Sequence, residues 1–213
     1  MWPLSVDMAT LTSGLPMAHR PPAILDDLPT TLGYPQARER GLSDRRLRDL
    51  VDTGALLHLG RGLYRKADAP FVDVDFLEIA HRSPDATLCL LTALSRHELT
   101  DQIPRRIDVA LPRTRRPPQV RAPVQWHRFD ERTFTVGRGG LTVEAGISLG
   151  IYSPERCIVD AFRLRHMEGE ELAVEALRRW LRRPGSTPAA LLGLARAFPK
   201  AEPALRDALR ILL

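Results

Sequence analysis

Residues 41–66 read Gly-Leu-Ser-Asp-Arg-Arg-Leu-Arg-Asp-Leu-Val-Asp-Thr-Gly-Ala-Leu-Leu-His-Leu-Gly-Arg-Gly-Leu-Tyr-Arg-Lys. Ser43 supplies a side-chain oxygen for the orphan amides of a helix start, and Leu42 and Leu47 flank that cap as a hydrophobic staple. Leu47, Leu50 and Val51 recur at i, i+3 and i+4 and form one buried stripe. Gly54 is a left-handed stop. Leu56–Leu59 and Leu63–Arg65 then flank Gly60-Arg61-Gly62, a glycine-bounded turn between two short strands. The segment predicts a helix over Ser43–Thr53 followed by a β-hairpin.

Upstream, Leu25 and Leu28 fit a short helix, and Pro35 sits in the first turn of another, Pro35–Arg40, which Gly41 ends. Three small helices and a hairpin give the order of a winged helix–turn–helix over residues 23–70, with 67–70 as a linker. Residues 1–22 hold four prolines and no period, and are expected to be a flexible tail.

The remainder, 71–213, reads as mixed α/β, so the whole is expected to be α+β: a winged helix, then an α/β domain ending in a helical, bundle-like segment. Val74–Arg82 and a segment running to Leu99 predict helices, the second after an apolar run Thr87–Leu91. Ile107–Leu111, Val124–Phe129, Phe134–Val136, Leu141–Val143 and Ile147–Tyr152 predict strands. Ser153-Pro154-Glu155 is a helix start, with a cap, a proline at the first position and an acid at the positive end of the dipole. Glu170–Arg182, Pro188–Phe198 and Glu202–Leu212 complete the helices.

The 213 residues are 44% hydrophobic and carry a net charge of +5. Such a composition excludes wholesale disorder. Lys66 and Lys200 are the only lysines among 31 basic residues. Cys89 and Cys157 are too few for a disulfide framework or a Cys-x-x-Cys zinc site, in keeping with a reducing compartment. No apolar run reaches the ~18 residues of a membrane span, and the start lacks a signal-peptide pattern. The expectation is a cytoplasmic protein without membrane contact. Charge is unevenly spread: residues 67–99 carry 2 basic and 6 acidic groups, whereas 100–138 carry 9 and 4. Arg113, Arg115, Arg116 and Arg121 form an acid-free peak, and 34–66 holds eight basic groups against four acidic ones. Basic zones of this kind point to phosphate contact.

On the Ser43–Thr53 helix, Arg45 points most directly away from the stripe, with Arg46 and Arg48 on its flanks. That is the build of a helix whose outer face reads base edges while its sides meet phosphates. Asp49 and Asp52 share the outer face, either to read a base or to hold Arg45. Ser43, Arg45, Arg46, Arg48, His58, Arg61, Arg65 and Lys66 are the candidate DNA-binding residues, the last four from the wing.

Residues 41–66 resemble the N-terminal winged helix of AbiEi-family antitoxins. The resemblance continues through Leu91–Asp101 and Ile107–Pro112, and is strongest at Gly150-Ile151-Tyr152-Ser153-Pro154-Glu155-Arg156 with Ile158-Val159-Asp160-Ala161-Phe162. It implies a transcriptional autorepressor that is also the antitoxin of a type IV toxin–antitoxin pair, with a part in phage defence. Its implied partners are operator DNA bearing inverted repeats and an AbiEii-like nucleotidyltransferase toxin. The tail 1–22 has no counterpart in the family, and the first helix is short.

Enzyme chemistry finds little footing. Asp73-x-Asp75 lacks the upstream glycine-serine loop of a nucleotidyltransferase and reads as a helix cap. The six histidines show no metal spacing, and His97 reads as a hydrogen-bonded packing residue. Ser153 is a cap without the Gly-x-Ser-x-Gly elbow. Gly137-Arg138-Gly139-Gly140 lacks the Lys-Ser/Thr of a P-loop and reads as a turn, while Trp126 and Trp180 read as core. The expectation is therefore a non-enzyme with no cofactor and no metal. Two alternatives stand beside it. One is a nuclease or nucleotidyltransferase served by the winged helix, which needs acids converging on one concave face of 71–213. The other is a winged-helix regulator with an orphan sensor domain.

Overall fold

A computed structural model describes residues 23–213; the tail expected at 1–22 lies outside the described residues. The chain is a mixed α+β structure that divides into two units. One is the described chain from Ala23 to His58 with Tyr64–Ala69, the other Leu59–Leu63 with Pro70–Leu213. The sequence reading puts the whole hairpin in the first unit; the structure groups its turn with the second.

The smaller unit begins with a 3-10 turn, Ala23–Leu25, then β1 (Thr31–Gly33), α1 (Tyr34–Glu39) and α2 (Asp44–Asp52). β2 (Leu56–Gly60) and β3 (Leu63–Lys66) form the hairpin, and the sheet order is β1-β3-β2. β1 is absent from the sequence reading, because three residues show no alternation; all three are buried. Leu25, Leu28, Leu32, Ala37, Leu42, Leu47, Leu50 and Leu56 make the core, and Val51 and Tyr64 pack against it. The stripe read from α2 is thus the stripe that is buried. Gly54 follows α2 at φ 72°.

The larger unit contains α3 (Val74–Arg82), β4 (Thr87–Leu88), α4 (Leu90–Arg96), β5 (Ile107–Pro112) and β6 (Val124–Phe129). α5 (Glu131–Phe134), β7 (Arg138–Glu144) and β8 (Ile147–Tyr152) follow. Then come α6 (Pro154–Arg163), α7 (Arg165–Glu168), α8 (Glu170–Leu181), α9 (Pro188–Ala195) and α10 (Glu202–Leu212). The sheet order is β6-β5-β4-β8-β7. β4 is antiparallel to β5 and parallel to β8, β5 is parallel to β6, and β7 and β8 are antiparallel with a bulge between Thr142 and Glu144. α6 packs against α4, α8, α9 and α10 and buries Cys157, Ile158, Val159, Ala161 and Phe162.

Gly150 shows why a bare backbone is needed in β8. A Cβ there would lie 2.6 Å from Thr87 Oγ1 and 2.8 Å from the Ala86 carbonyl oxygen. The absent side chain lets β8 approach β4.

The expected strand Phe134–Val136 is not one. The Asp130 carboxylate accepts the Arg132 N–H at 3.0 Å and starts α5, so Phe134 ends a helical turn with its ring against Tyr152. Capping by the preceding aspartate outweighs the strand propensity of Phe-Thr-Val. The expected turn at 137–140 shrinks to Gly137, for Arg138–Gly140 already pair with Tyr152–Gly150 in β7. The apolar run Thr87–Leu91 yields only a two-residue strand, since α4 starts at Leu90, and that helix stops at Arg96 short of Leu99. Asp73 is the expected cap of α3, accepting from the backbone N–H groups of Asp75 and Phe76 at 3.1 Å.

Candidate nucleic-acid interface

α2 is held from both ends. Ser43 Oγ accepts the Arg46 N–H at 3.2 Å, and Thr53 Oγ1 donates to the Asp49 carbonyl at 2.8 Å. Ser43 is therefore occupied as a cap. Asp44 accepts from Tyr34 Oη at 2.8 Å, and that bond raises the tyrosine pKa above its ordinary value. Arg38 Nη1 lies 3.7 Å from the same carboxylate. This small network ties α1 to the first turn of α2.

With Leu47 and Leu50 turned into the core, Arg45, Arg46 and Arg48 are all exposed. Arg48 Nε donates to the Asp44 carbonyl at 3.3 Å. Among the described residues none of the three arginines forms an ion pair, so Asp49 does not hold Arg45. Their side chains are exposed on a capped helix.

The candidate residues of the hairpin fare differently. His58 is exposed on β2 and lies over Tyr64, with ring centroids 5.2 Å apart. Lys66 is half-buried and its N–H donates to the Thr30 carbonyl at 2.9 Å. Arg65 is only 4% exposed. A side chain this buried is out of reach of phosphates, so Arg65 leaves the candidate set. By alternation Leu63 and Arg65 share one face of β3, both buried, while Tyr64 on the other face packs against the small unit's core. Arg61 is exposed in the turn, and its carbonyl accepts from the Arg82 guanidinium. Arg121 Nη1 donates to the Leu59 carbonyl at 3.5 Å, and the buried Glu78 carboxylate accepts the Arg121 N–H at 2.8 Å. These bonds explain why the turn groups with the larger unit.

The residues weighed for catalysis have structural duties. Ser153 Oγ accepts the Arg156 N–H at 3.2 Å, and His97 Nε2 lies 2.7 Å from the Tyr152 carbonyl. Trp180 is buried, with Nε1 donating to Glu155 Oε1 at 3.2 Å. Both cysteines are buried and free, and burial pushes both thiols well up, the condition of inert rather than reactive cysteine. Among the described residues no group of three or more His, Cys, Asp and Glu side chains is placed to hold a metal ion, and no helix is long and apolar enough to cross a membrane.

No protein-family model and no curated protein matches this chain. Among solved structures, the crystal structure of the RV2827C protein from Mycobacterium tuberculosis is similar, with a TM-score of 0.55 and 20% identity. The match covers 91% of this chain and 82% of that one. At that identity the likeness is one of fold.

Proposed function

We propose that the smaller unit is a winged helix that binds duplex DNA, and that the protein is a cytoplasmic transcriptional autorepressor and antitoxin without enzymatic activity of its own. One observation carries the DNA-binding reading: Arg45, Arg46 and Arg48 stand unpaired among the described residues on the outer face of a capped helix whose other face is core. A single helix presented in this way fits the major groove, with Arg45 toward base edges and Arg46 and Arg48 toward the flanking phosphates. The order helix–strand–helix–helix–hairpin, with β1 closing the sheet beside β3, supports the winged-helix assignment. His58 adds a donor from β2, and Arg61 one from the turn.

The antitoxin half of the proposal rests on the family resemblance in 91–101, 107–112 and 150–162. In this reading the larger unit neutralises a nucleotidyltransferase toxin and the smaller one binds inverted repeats in the operon's own promoter. The test pairs growth of cells carrying the toxin with a reporter driven by that promoter. The triple substitution of Arg45, Arg46 and Arg48 by alanine is expected to abolish repression and leave protection intact. Loss of protection by a folded, equally abundant triple variant overturns the division of labour. Undiminished repression overturns the DNA-binding face.

A further inference from the structure

In the larger unit a cavity of about 500 Å³ opens between the 102–106 loop, β6 and the end of α7. Pockets that hold small organic ligands span about 300–1,000 Å³. The wall is chemically mixed. Asp108 of β5 and His127 of β6 form a pair in it, His127 Nε2 standing 2.9 Å from Asp108 Oδ1. The carboxylate is fixed from behind, because Thr92 Oγ1 accepts the Asp108 N–H at 2.8 Å and lies 3.5 Å from Asp108 Oδ2. Glu168, at the end of α7, lines the same wall. Its burial, then the nearby Asp108 carboxylate, raise its pKa, with His127 opposing them.

The rim is of another kind. Arg105 and Arg106 are exposed, and Arg106 Nη1 donates to Gln125 Oε1 at 3.0 Å. Ile103 and Met167 also line the cavity, yet are 87% and 75% exposed. One exposed apolar side chain needs no explanation, but two on the lip of one cavity beside two arginines make a site with a charged part and an apolar part. The backbone behind it is strained. α4 opens at Leu90, a buried leucine at φ 43°, and Leu91 after it lines the cavity. A left-handed leucine persists only where the surroundings over-determine it, and such positions cluster at ligand sites.

We propose that this cavity binds a nucleotide-sized phosphate monoester. The phosphate lies on Arg105 and Arg106, whose planar guanidiniums match its oxygens. The base lies against Ile103 and Met167, which offer an apolar surface to a flat ring. Gln102, Gln125 and Glu168 meet its edge, the two amides as donors and acceptors and the carboxyl group as acceptor. Asp108 Oδ1 is engaged by the His127 ring at 2.9 Å and is not presented bare to the ligand. The site is built from residues of the larger unit and does not depend on the DNA-binding reading.

The experiment titrates the full chain with AMP, CMP, GMP and UMP in turn, and with inorganic phosphate and adenosine. The observable is the His127 ring proton signal, assigned with His127→Gln. At least one nucleotide is expected to shift it saturably, with inorganic phosphate and adenosine each binding at least about tenfold more weakly. Arg105→Ala, on an exposed loop where folding is not at stake, is expected to weaken that nucleotide about tenfold. Glu168→Gln is expected to change the ranking of the bases. The proposal is overturned if no nucleotide gives a saturable shift, if inorganic phosphate binds as tightly as the best nucleotide, or if Arg105→Ala leaves affinity unchanged. Arg45→Ala is the control: a loss there equal to that of Arg105→Ala moves the binding to the smaller unit and overturns the assignment too.

Discussion

Arg156 Nε donates to Asp160 Oδ2 at 2.9 Å, although the two side chains are only 0% and 1% exposed. Arg163 Nη2 meets the other oxygen of Asp160 at 2.9 Å. Arg156 Nη1 donates to the Thr133 and Val136 carbonyls at 2.7 and 2.6 Å, tying the end of α5 to α6. The flat guanidinium lies 4.2 Å from the Tyr152 centroid and 4.3 Å from that of Phe198. The stretch 150–162, where the family resemblance is strongest, is therefore an architectural joint: it fixes β8, α5, α6 and the α9–α10 connection around one buried cation.

Removing the Asp160 charge leaves the buried Arg156 guanidinium without its counter-ion. Asp160→Asn is expected to destabilise the larger unit by about 3–5 kcal/mol, as for other broken buried pairs. Replacing both with apolar residues (Arg156→Met with Asp160→Leu) is expected to cost less than the two single changes added together. Urea unfolding followed by tryptophan fluorescence measures each; strict additivity would show that the pair is not coupled.

Glu168 sets a pH dependence of definite sign. Its folded pKa is raised above 4.5, by burial first and Asp108 second. The folded state therefore holds a proton that the unfolded state releases, so this contribution is fully present below the unfolded pKa and is lost as pH rises through the folded one. Glu168→Gln is expected to gain stability relative to the native chain as pH rises from about 4 to about 7. Denaturant midpoints at a series of pH values test it. A difference that is flat, or that shrinks with pH, contradicts the assignment.

On DNA, the three arginines of α2 are expected to separate by role. Arg45→Ala should cost about 1–3 kcal/mol on operator DNA and little on random duplex. Arg46→Ala should weaken both alike and flatten the log–log salt dependence by about 0.9. Arg65→Ala should leave the salt slope unchanged, because its side chain is buried. Anisotropy titrations at several salt concentrations distinguish the three.

Gly150→Ala probes the close approach of β8 to β4. The added methyl meets the Ala86 carbonyl oxygen at 2.8 Å, and backbone cannot swing aside as a side chain can. A loss of about 1–3 kcal/mol is expected, in the range of overpacked cores. Thermal unfolding of this variant beside Gly140→Ala, in the neighbouring strand, whose added methyl meets nothing within 4 Å at a φ open to any residue, separates the clash from general loss of glycine.

The parts legible in the sequence are those governed by neighbours along the chain. Ser43, Asp73 and Ser153 cap as their context demands, and the i, i+3, i+4 spacing of Leu47, Leu50 and Val51 orients α2 and so its arginines. Other features have no local signal. β1 is too short for a period. α5 is decided by Asp130 against the strand propensity of the residues after it. Arg65 is buried in β3, and a charged residue gives no warning of that. Asp108 and His127 stand far apart in sequence and meet only because β5 and β6 run parallel in register. The mixed order β6-β5-β4-β8-β7 rests on pairing between distant segments, which composition does not encode.

The place of β4 in that order has a consequence for how the protein is made. Thr87 pairs on one side with Ala110 and on the other with Gly150. The small unit's core is complete once its hairpin has emerged from the ribosome, but the larger core draws on residues from Phe76 to Leu209. While the stretch between them is still being translated, β4 has one bare edge, the kind of backbone template that recruits other chains. A message broken between the codons for residues 112 and 150 thus yields a fragment with a finished head and a half-zipped sheet. Such a fragment is more hazardous to its neighbours than one cut short before the sheet begins.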